Sequence, residues 1–329
     1  MNKLTPLETR EPNEAALIGE MTDILRRKME RDYPVGQTRR DAHPKSLGVL
    51  KGSFSIEPKL PAELRVGLFA RQRTFDCWIR CSNSSGKIQP DSVRDARGIA
   101  IKLLAPRSAS KKTGGAPGQD FVLLDSPVMP LGTVSLFRDA VYYSIESSPL
   151  LFGAKLLLSG KAGVMVGLLG LLGRPNCPLD IRYWSTTPYL LGKDQAVKYA
   201  LIPTSRQRSK RPDAYTDAYL TDAMAAHLAR HEASFDFCVQ LRQDGMPIED
   251  AGRRWSESDS PLVKVATLKI PRQKFRTVER RNLGESLSFS PAHALPAHRP
   301  IGGLNRAREA IYATLSAFRH QRDGIVDLA

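Results

Sequence analysis

Two arginines and a tyrosine share one helical edge near the C-terminus. The run 305–319 reads NRAREAIYATLSAFR. An α-helix turns by about 100° per residue, so Arg308, Tyr312 and Arg319 fall within about 40° of one another. They border an apolar stripe of Ala307, Ile311, Leu315 and Phe318. Guanidiniums bracketing a phenol favour its anion. The same spacing also serves two arginine stems that pass a tyrosine at a core boundary. A second candidate is His43 in RRDAHPKSLG, an imidazole able to take and return a proton near neutrality, or simply an exposed loop histidine. The third is TFDCWIRCS, residues 74–82. A period of two puts Phe75, Cys77, Ile79 and Cys81 on one face and Asp76, Trp78, Arg80 and Ser82 on the other. The second face either lines a polar site or meets water.

Other chemistries fail on their spacing. SGKAG (159–163) has no Gly five residues before Gly160, and Ala162 stands where a phosphate loop needs Ser or Thr. No G-x-G-x-x-G follows a strand-like run, and no G-x-S-x-G elbow is present. His227-Leu-Ala-Arg-His231 lacks the Glu of a zinc helix and reads as a wet helix surface. The four cysteines, Cys77, Cys81, Cys177 and Cys238, are too few to staple 329 residues. They read as reduced thiols in a reducing, cytoplasmic compartment. The net charge of +15 favours anionic partners. With aromatics at 7% and no recognition motif, nucleic acid is excluded from these.

The elements that must hold these groups are legible as patterns. Residues 14–29 place Leu17, Met21, Ile24, Leu25 and Met29 on one helical face, with Asn13 as N-cap. Strand-like runs follow at 52–56, 74–81, 97–104 and 120–124, with a loop at 108–118. More come at 181–185, 197–202, 234–241 and 262–270, and helices are expected over 216–231 and 304–320. The basic stretch 205–213 reads as a solvated loop. Strands in two blocks with helices inserted and appended indicate an α+β fold on a mostly antiparallel sheet or barrel, in one compact unit. No secretory signal is visible at the N-terminus. The Gly-rich apolar segment 150–173 is interrupted by Lys155 and Lys161, and its uncharged remainder is shorter than the ~20 residues a membrane span needs. It suits a buried helix pair or an oligomer contact. Alternatively it is a lipid-facing or channel-lining element, with flanking Lys and Arg meeting headgroups as a peripheral membrane contact.

Several stretches together resemble the haem-catalase superfamily, in particular its short catalase-like members related to peroxidases and fatty-acid hydroperoxide enzymes. The matching text is RRDAHPKSLGVLKGSFSI, CWIRCSNSSGKIQPDSVRDARGIAIKLL and GQDFVLLDSPV, then YWSTTPYLLGKDQAVKYALIP, SPLVKVATLKIPRQ and LSFSPAHALPAHRPIGGLNRAREAIY. It covers roughly residues 35 to 320. The resemblance implies an eight-stranded antiparallel barrel with helical additions, in which 1–34 is an N-terminal helical arm and 35–329 the haem domain. It implies haem b as cofactor and a peroxide or lipid hydroperoxide as substrate.

By the same resemblance Tyr312 binds haem iron as phenolate, helped by Arg308 one turn earlier. A free tyrosine has a pKa near ~10 and needs that help at pH 7. Arg40, Arg80 and Arg319 face the haem propionates, where planar guanidinium forks suit carboxylates. His43 takes the distal histidine position and Ser82 fixes its tautomer. The implied activity is peroxide breakdown as a catalase-like peroxidase. Its alternatives are a fatty-acid hydroperoxide lyase or dehydratase and a haem-binding protein with weakened chemistry. Two departures stand out. Asp125 occupies the family's distal Asn position, and Ala313-Thr314 follow Tyr312 where large catalases carry Pro-Asp-Thr. An ionised carboxylate cannot donate a hydrogen bond to peroxide as an amide can.

Overall fold

The computed structural model describes residues 4–104 and 118–325. Nine strands form one antiparallel sheet: β1 (Ser46–Ile56), β2 (Thr74–Asn83), β3 (Arg97–Leu103), β4 (Gln119–Leu124), β5 (Tyr183–Trp184), β6 (Tyr189–Leu191), β7 (Gln195–Pro203), β8 (Ala233–Leu241) and β9 (Val263–Ile270). The order β5-β4-β3-β2-β1-β9-β8-β7 closes through a β5–β7 pairing, and β6 hangs on β7. The result is the closed eight-stranded barrel that the resemblance implies, and each of its strands coincides with one of the strand-like runs. β1 starts six residues earlier than its run because Gly48 and a register shift let it continue past the loop. The β1–β2 ladder pairs Ser46 with Ser82 and Val49 with Arg80, which brings the segment preceding β1 against the end of β2.

Alternation along the strands fills the barrel with side chains. Phe54, Phe121, Tyr199 and Phe237 interlock at its centre with ring centroids 4.6–5.0 Å apart for Phe54–Phe237, Phe121–Tyr199 and Phe121–Phe237. Cys77, Ile79 and Cys81 join this core, as the period-two reading of β2 requires. A packed barrel has no room for a ligand. The opposite, outward faces of β2, β3 and β4 are therefore the ones left to line a site.

Among the described residues, seven α-helices cover the barrel: α1 (Glu14–Asp32), α2 (Val134–Ile145), α3 (Pro149–Leu158), α4 (Ala162–Gly170), α5 (Tyr219–Arg230), α6 (Val278–Ser286) and α7 (Gly303–Asp323). A second core forms where α1, α2 and α7 meet, built from Met21, Ile24, Leu25, Val134, Ala307 and Ile311 among others. The arm helix and the C-terminal helix thus bury their apolar stripes against each other.

Several expectations need correction. Asn13 sits in the left-handed region at φ 57° and makes no side-chain cap. His227 is buried at 6% exposure, its Nε2 3.2 Å from the Glu232 carbonyl oxygen, because α5 turns that edge inward; it is not a wet surface. Segment 150–173 is a helix pair, α3 and α4, but not a buried one: no residue of α4 is buried. The sequence reading missed α2, α6 and β6. α2 is rich in Val, Phe and Tyr, which favour strands locally. It is started by Thr133, whose hydroxyl accepts from the Leu136 N–H. Of the loop expected at 108–118, residues 108–117 lie outside the described residues. No described helix is long and apolar enough to cross a membrane.

Candidate active site

A cavity of about 890 Å³ lies between the outer face of the barrel and the helices. β2 contributes Arg80 and Ser82, β3 Gly98 and Ala100, and β4 Val122 and Leu124. Leu25 and Met29 of α1, Phe137 and Val141 of α2, and Ile311 and Tyr312 of α7 close the other side. Its size lies within the ~300–1,000 Å³ typical of ligand sites, and its walls are apolar with a few convergent polar groups.

His43 is one of those groups. Its backbone is left-handed at φ 56°, uncommon for any residue but glycine. Three contacts hold it there. Arg80 Nη2 donates to the His43 carbonyl at 2.7 Å. His43 Nδ1 and Ser82 Oγ are hydrogen-bonded at 3.0 Å. Gly98 leaves the ring its space: a Cβ there would stand 2.7 Å from Cε1 and 2.8 Å from Nδ1. Burial, followed by the positive charges of Arg80 and Arg308, pushes the imidazole down to about 3. It is neutral at pH 7 and carries one nitrogen lone pair.

Arg80, Arg40 and Arg319 gather at one end of the cavity. Arg319 is 2% exposed; its Nη1 donates to the Glu285 carbonyl at 2.6 Å and its Nη2 lies 2.8 Å from His320 Nε2. Arg40 Nη2 donates to the Gly284 and Leu287 carbonyls at 2.7 and 2.6 Å. Glu285 lies near both, 3.3 Å from Arg40 and 3.9 Å from Arg319. Burial, then Arg40, pull the Arg80 guanidinium down to about 9; Glu285 only partly offsets this. The buried Arg80 Nε makes no hydrogen bond. Three guanidiniums converging at one end of the cavity, with the Arg80 Nε lacking a hydrogen bond, suit an anionic ligand.

Tyr312 enters the cavity half-buried from α7. The Arg308 guanidinium carbon lies 5.6 Å from its ring centroid. Arg308 Nη1 donates to Thr187 Oγ1 at 3.2 Å and to Asn305 Oδ1 at 3.3 Å. Asn305 is itself fixed, donating to the Pro188 and Ile301 carbonyls at 2.7 and 2.9 Å. Burial pulls the Arg308 guanidinium down, but the Tyr312 and Tyr189 phenols more than offset it and leave it above its ordinary value. So the helical edge read from spacing is a built contact between a cation and a phenol. Thr187 and Asn305 escaped the sequence reading. Both lie within the quoted matching text, but neutral residues carry no local signal of what they orient.

No family model matches the chain. It is 27% identical over 259 residues to a catalase-related peroxidase of Mycolicibacterium paratuberculosis (strain ATCC BAA-968 / K-10), covering 73% of this chain and 76% of that relative. A fungal catalase superposes with a TM-score of 0.70 at 15% identity, over 90% of this chain and 62% of its own. Catalase A from Saccharomyces cerevisiae gives 0.69 at 15%, over 90% and 64%. A bacterial catalase gives 0.66 at 16%, over 99% and 63%. The chain thus has the fold of the catalases and is similar in sequence to a catalase-related peroxidase. It spans a little under two thirds of the length of those solved catalases.

Asp125 stands apart from the groups just described. Its Oδ1 accepts from the Arg97 backbone N–H at 2.8 Å, at the end of β4, and Oδ2 faces Gly173. Burial pushes its carboxyl up to about 6 against the downward pull of the Arg97 N–H and charge. The folded state therefore keeps this proton after the unfolded chain has lost it, and stability falls as pH rises from about 4 to about 6. Asparagine can accept the same N–H without a charge. Asp125→Asn is expected to be more stable than the parent by about 2 kcal/mol above pH 7, with the gap shrinking towards pH 4. Urea melts at the two pH values check this; an equal gap at both removes the buried charge as its cause. A further histidine that the sequence reading did not single out, His293, also lines the cavity. Its Nδ1 lies 2.9 Å from Asp120 Oδ2, and that oxygen also accepts from the Ser290 N–H and from Lys102.

Proposed function

We propose that the chain is a haem-dependent, peroxide-decomposing enzyme of the catalase-like peroxidase type. What carries the reading is that one apolar cavity gathers a neutral imidazole, a phenol beside a guanidinium, and a positive cluster with an orphaned Arg80 Nε. The donor set fits an iron porphyrin. A phenol oxygen is a ligand for iron, three arginines suit two propionate carboxylates, and the apolar walls suit a macrocycle. Tyr312 would hold the metal, with Arg308 favouring its anionic oxygen, and Arg40, Arg80 and Arg319 would hold the carboxylates of haem b. When bound, the iron porphyrin supplies the redox chemistry that O–O cleavage requires.

The protein's own part is proton handling and exclusion of water. With Nδ1 donating to Ser82 Oγ, His43 Nε2 keeps its lone pair and can accept the proton of one peroxide oxygen, then return it to the other. A low basicity makes that return easy. Ser82, buried at 3% exposure, sets the ring angle. A second reading, a lyase or dehydratase of fatty-acid hydroperoxides, is favoured by the number of Leu, Val, Ile and Phe side chains on the cavity wall, which suit an acyl chain. Asp125, held at the backbone, leaves the position of a distal amide donor unfilled in either reading and motivates the third, a haem protein with weakened chemistry.

Purified protein loaded with hemin separates them. The expected result is a Soret band and rapid oxygen release from hydrogen peroxide. Loss of conjugated-diene absorbance from a polyunsaturated hydroperoxide, without added donor, selects the second reading. A Soret band with neither reaction leaves haem binding alone, and a colourless protein ends the proposal.

A further inference from the structure

The apolar helix pair is exposed where a globular chain of this composition would bury it. Leu158 is 90% exposed, Leu150 85%, Val166 70% and Leu169 67%. Monomeric soluble proteins rarely expose contiguous apolar surface of this kind without a partner. The pair is nonetheless anchored: Phe152 and Leu156 pack on Leu136 of α2. α4 is one layer thick between solvent and the cavity. Its Val166 and Leu169 face out, and Leu168, on the same helix, lines the cavity together with Leu171.

The charged residues that the segment itself carries have one sign. Between Glu146 and Asp180 the sequence contains Lys155, Lys161 and Arg174 and no acidic residue. Lys161 is exposed at the turn between the helices, and Arg174 is exposed beyond α4. Lys155 pairs with Asp139 at 2.7 Å. A two-fold contact with a second copy would bring this basic rim against itself. Anionic headgroups around an apolar layer complement it, and the chain's net charge of +15 attracts them from further away.

We propose that α3 and α4 form a docking surface for an anionic phospholipid bilayer, which seats the outer face of α4 in the headgroup–acyl boundary and the cavity wall directly behind it. The docking rests on the exposed apolar face and its basic rim. It leans on the peroxide reading only for what would pass from the acyl layer into the cavity, an apolar hydroperoxide.

The test uses the full hemin-loaded chain and sedimentation with vesicles of phosphatidylcholine alone or mixed with phosphatidylglycerol. Parent protein is expected to sediment with the anionic vesicles, less with neutral ones, and less at high salt. The double variant Leu158→Glu, Leu169→Glu changes two exposed side chains. It is expected to lose about tenfold or more of its bound fraction while retaining its circular dichroism and hydrogen peroxide turnover. Lys161→Glu is expected to weaken only the preference for anionic lipid. Parent protein that stays in solution with anionic vesicles overturns the proposal, as does a double variant that sediments like the parent. A double variant that changes only from dimer to monomer in the ultracentrifuge assigns the face to a second copy instead. Sedimentation needs no turnover, so protein that docks but leaves peroxide intact ends the peroxide reading and keeps the docking surface.

Discussion

Tyr312→Phe is expected to cost the protein its cofactor while leaving the fold in place. The phenol oxygen is the group beside the Arg308 guanidinium that can become an anionic ligand, and Arg308 is held by Thr187 and Asn305 whether or not that oxygen is there. Removing a single hydroxyl from a half-buried ring removes at most about 1–2 kcal/mol of stability. The melting transition of the hemin-free protein should therefore move little. Hemin affinity should fall about 100-fold or more, since even the outer partners of a metal ligand are worth ~10–100-fold. Titration of hemin followed by the Soret band reads both affinity and ligation. An unchanged band position and midpoint would take Tyr312 out of the ligand role, and with it the meaning given to Arg308. Arg308→Leu separates the two contributions: its band should persist with weaker ligation, because the oxygen remains but the cation that favours its anion is gone.

That Tyr312 could be found in the sequence at all follows from helix geometry. A stripe at 307, 311, 315 and 318 dictates which edge faces the α1–α2 core, so positions 308, 312 and 319 had to lie beside it. The barrel was legible for a similar reason. Its strands alternate, and alternation in TFDCWIRCS placed Cys77 and Ile79 inside and Arg80 and Ser82 outside before the register was known. The supporting layer was not legible. Gly98 reads as any strand glycine until its missing Cβ is seen against His43. Thr187 and Asn305 act across 121 and 3 residues from Arg308, and nothing local marks the longer of these contacts. Asp125 shows the opposite failure. Its position in the chain aligned it with a donor to substrate, but its carboxylate is taken up by the Arg97 N–H, because a charge at a strand end finds a backbone donor sooner than it faces an apolar cavity. The exposure of α3 and α4 was also beyond sequence: an all-apolar helix is equally a core helix and a lipid-facing one until its neighbours are known.

His43→Asn is the companion experiment, expected to remove turnover and keep the cofactor. Asparagine tolerates the left-handed backbone at φ 56° and leaves Arg80 its carbonyl acceptor, so the loop should stay in place. It cannot shuttle a proton, a contribution of about 100- to 10,000-fold. Hydrogen peroxide turnover should fall by that much with the Soret band retained; turnover within about threefold of the parent would relieve His43 of the proton. The variant also carries a pH signature that a merely structural histidine on the surface would lack. The unfolded imidazole takes up a proton near pH 6.5, and the folded one resists until about 3. Through that window the unfolded state binds more protons, so His43 costs stability as pH falls and costs nothing above it. His43→Asn should therefore flatten the loss of stability between pH 7 and pH 4.5, in the direction opposite to Asp125→Asn, which gains its advantage at the high end. The two residues titrate the same fold with opposite signs. Paired denaturation curves of the single variants and the double variant then test whether the histidine on one side of β3 and the carboxylate at the end of β4 act independently.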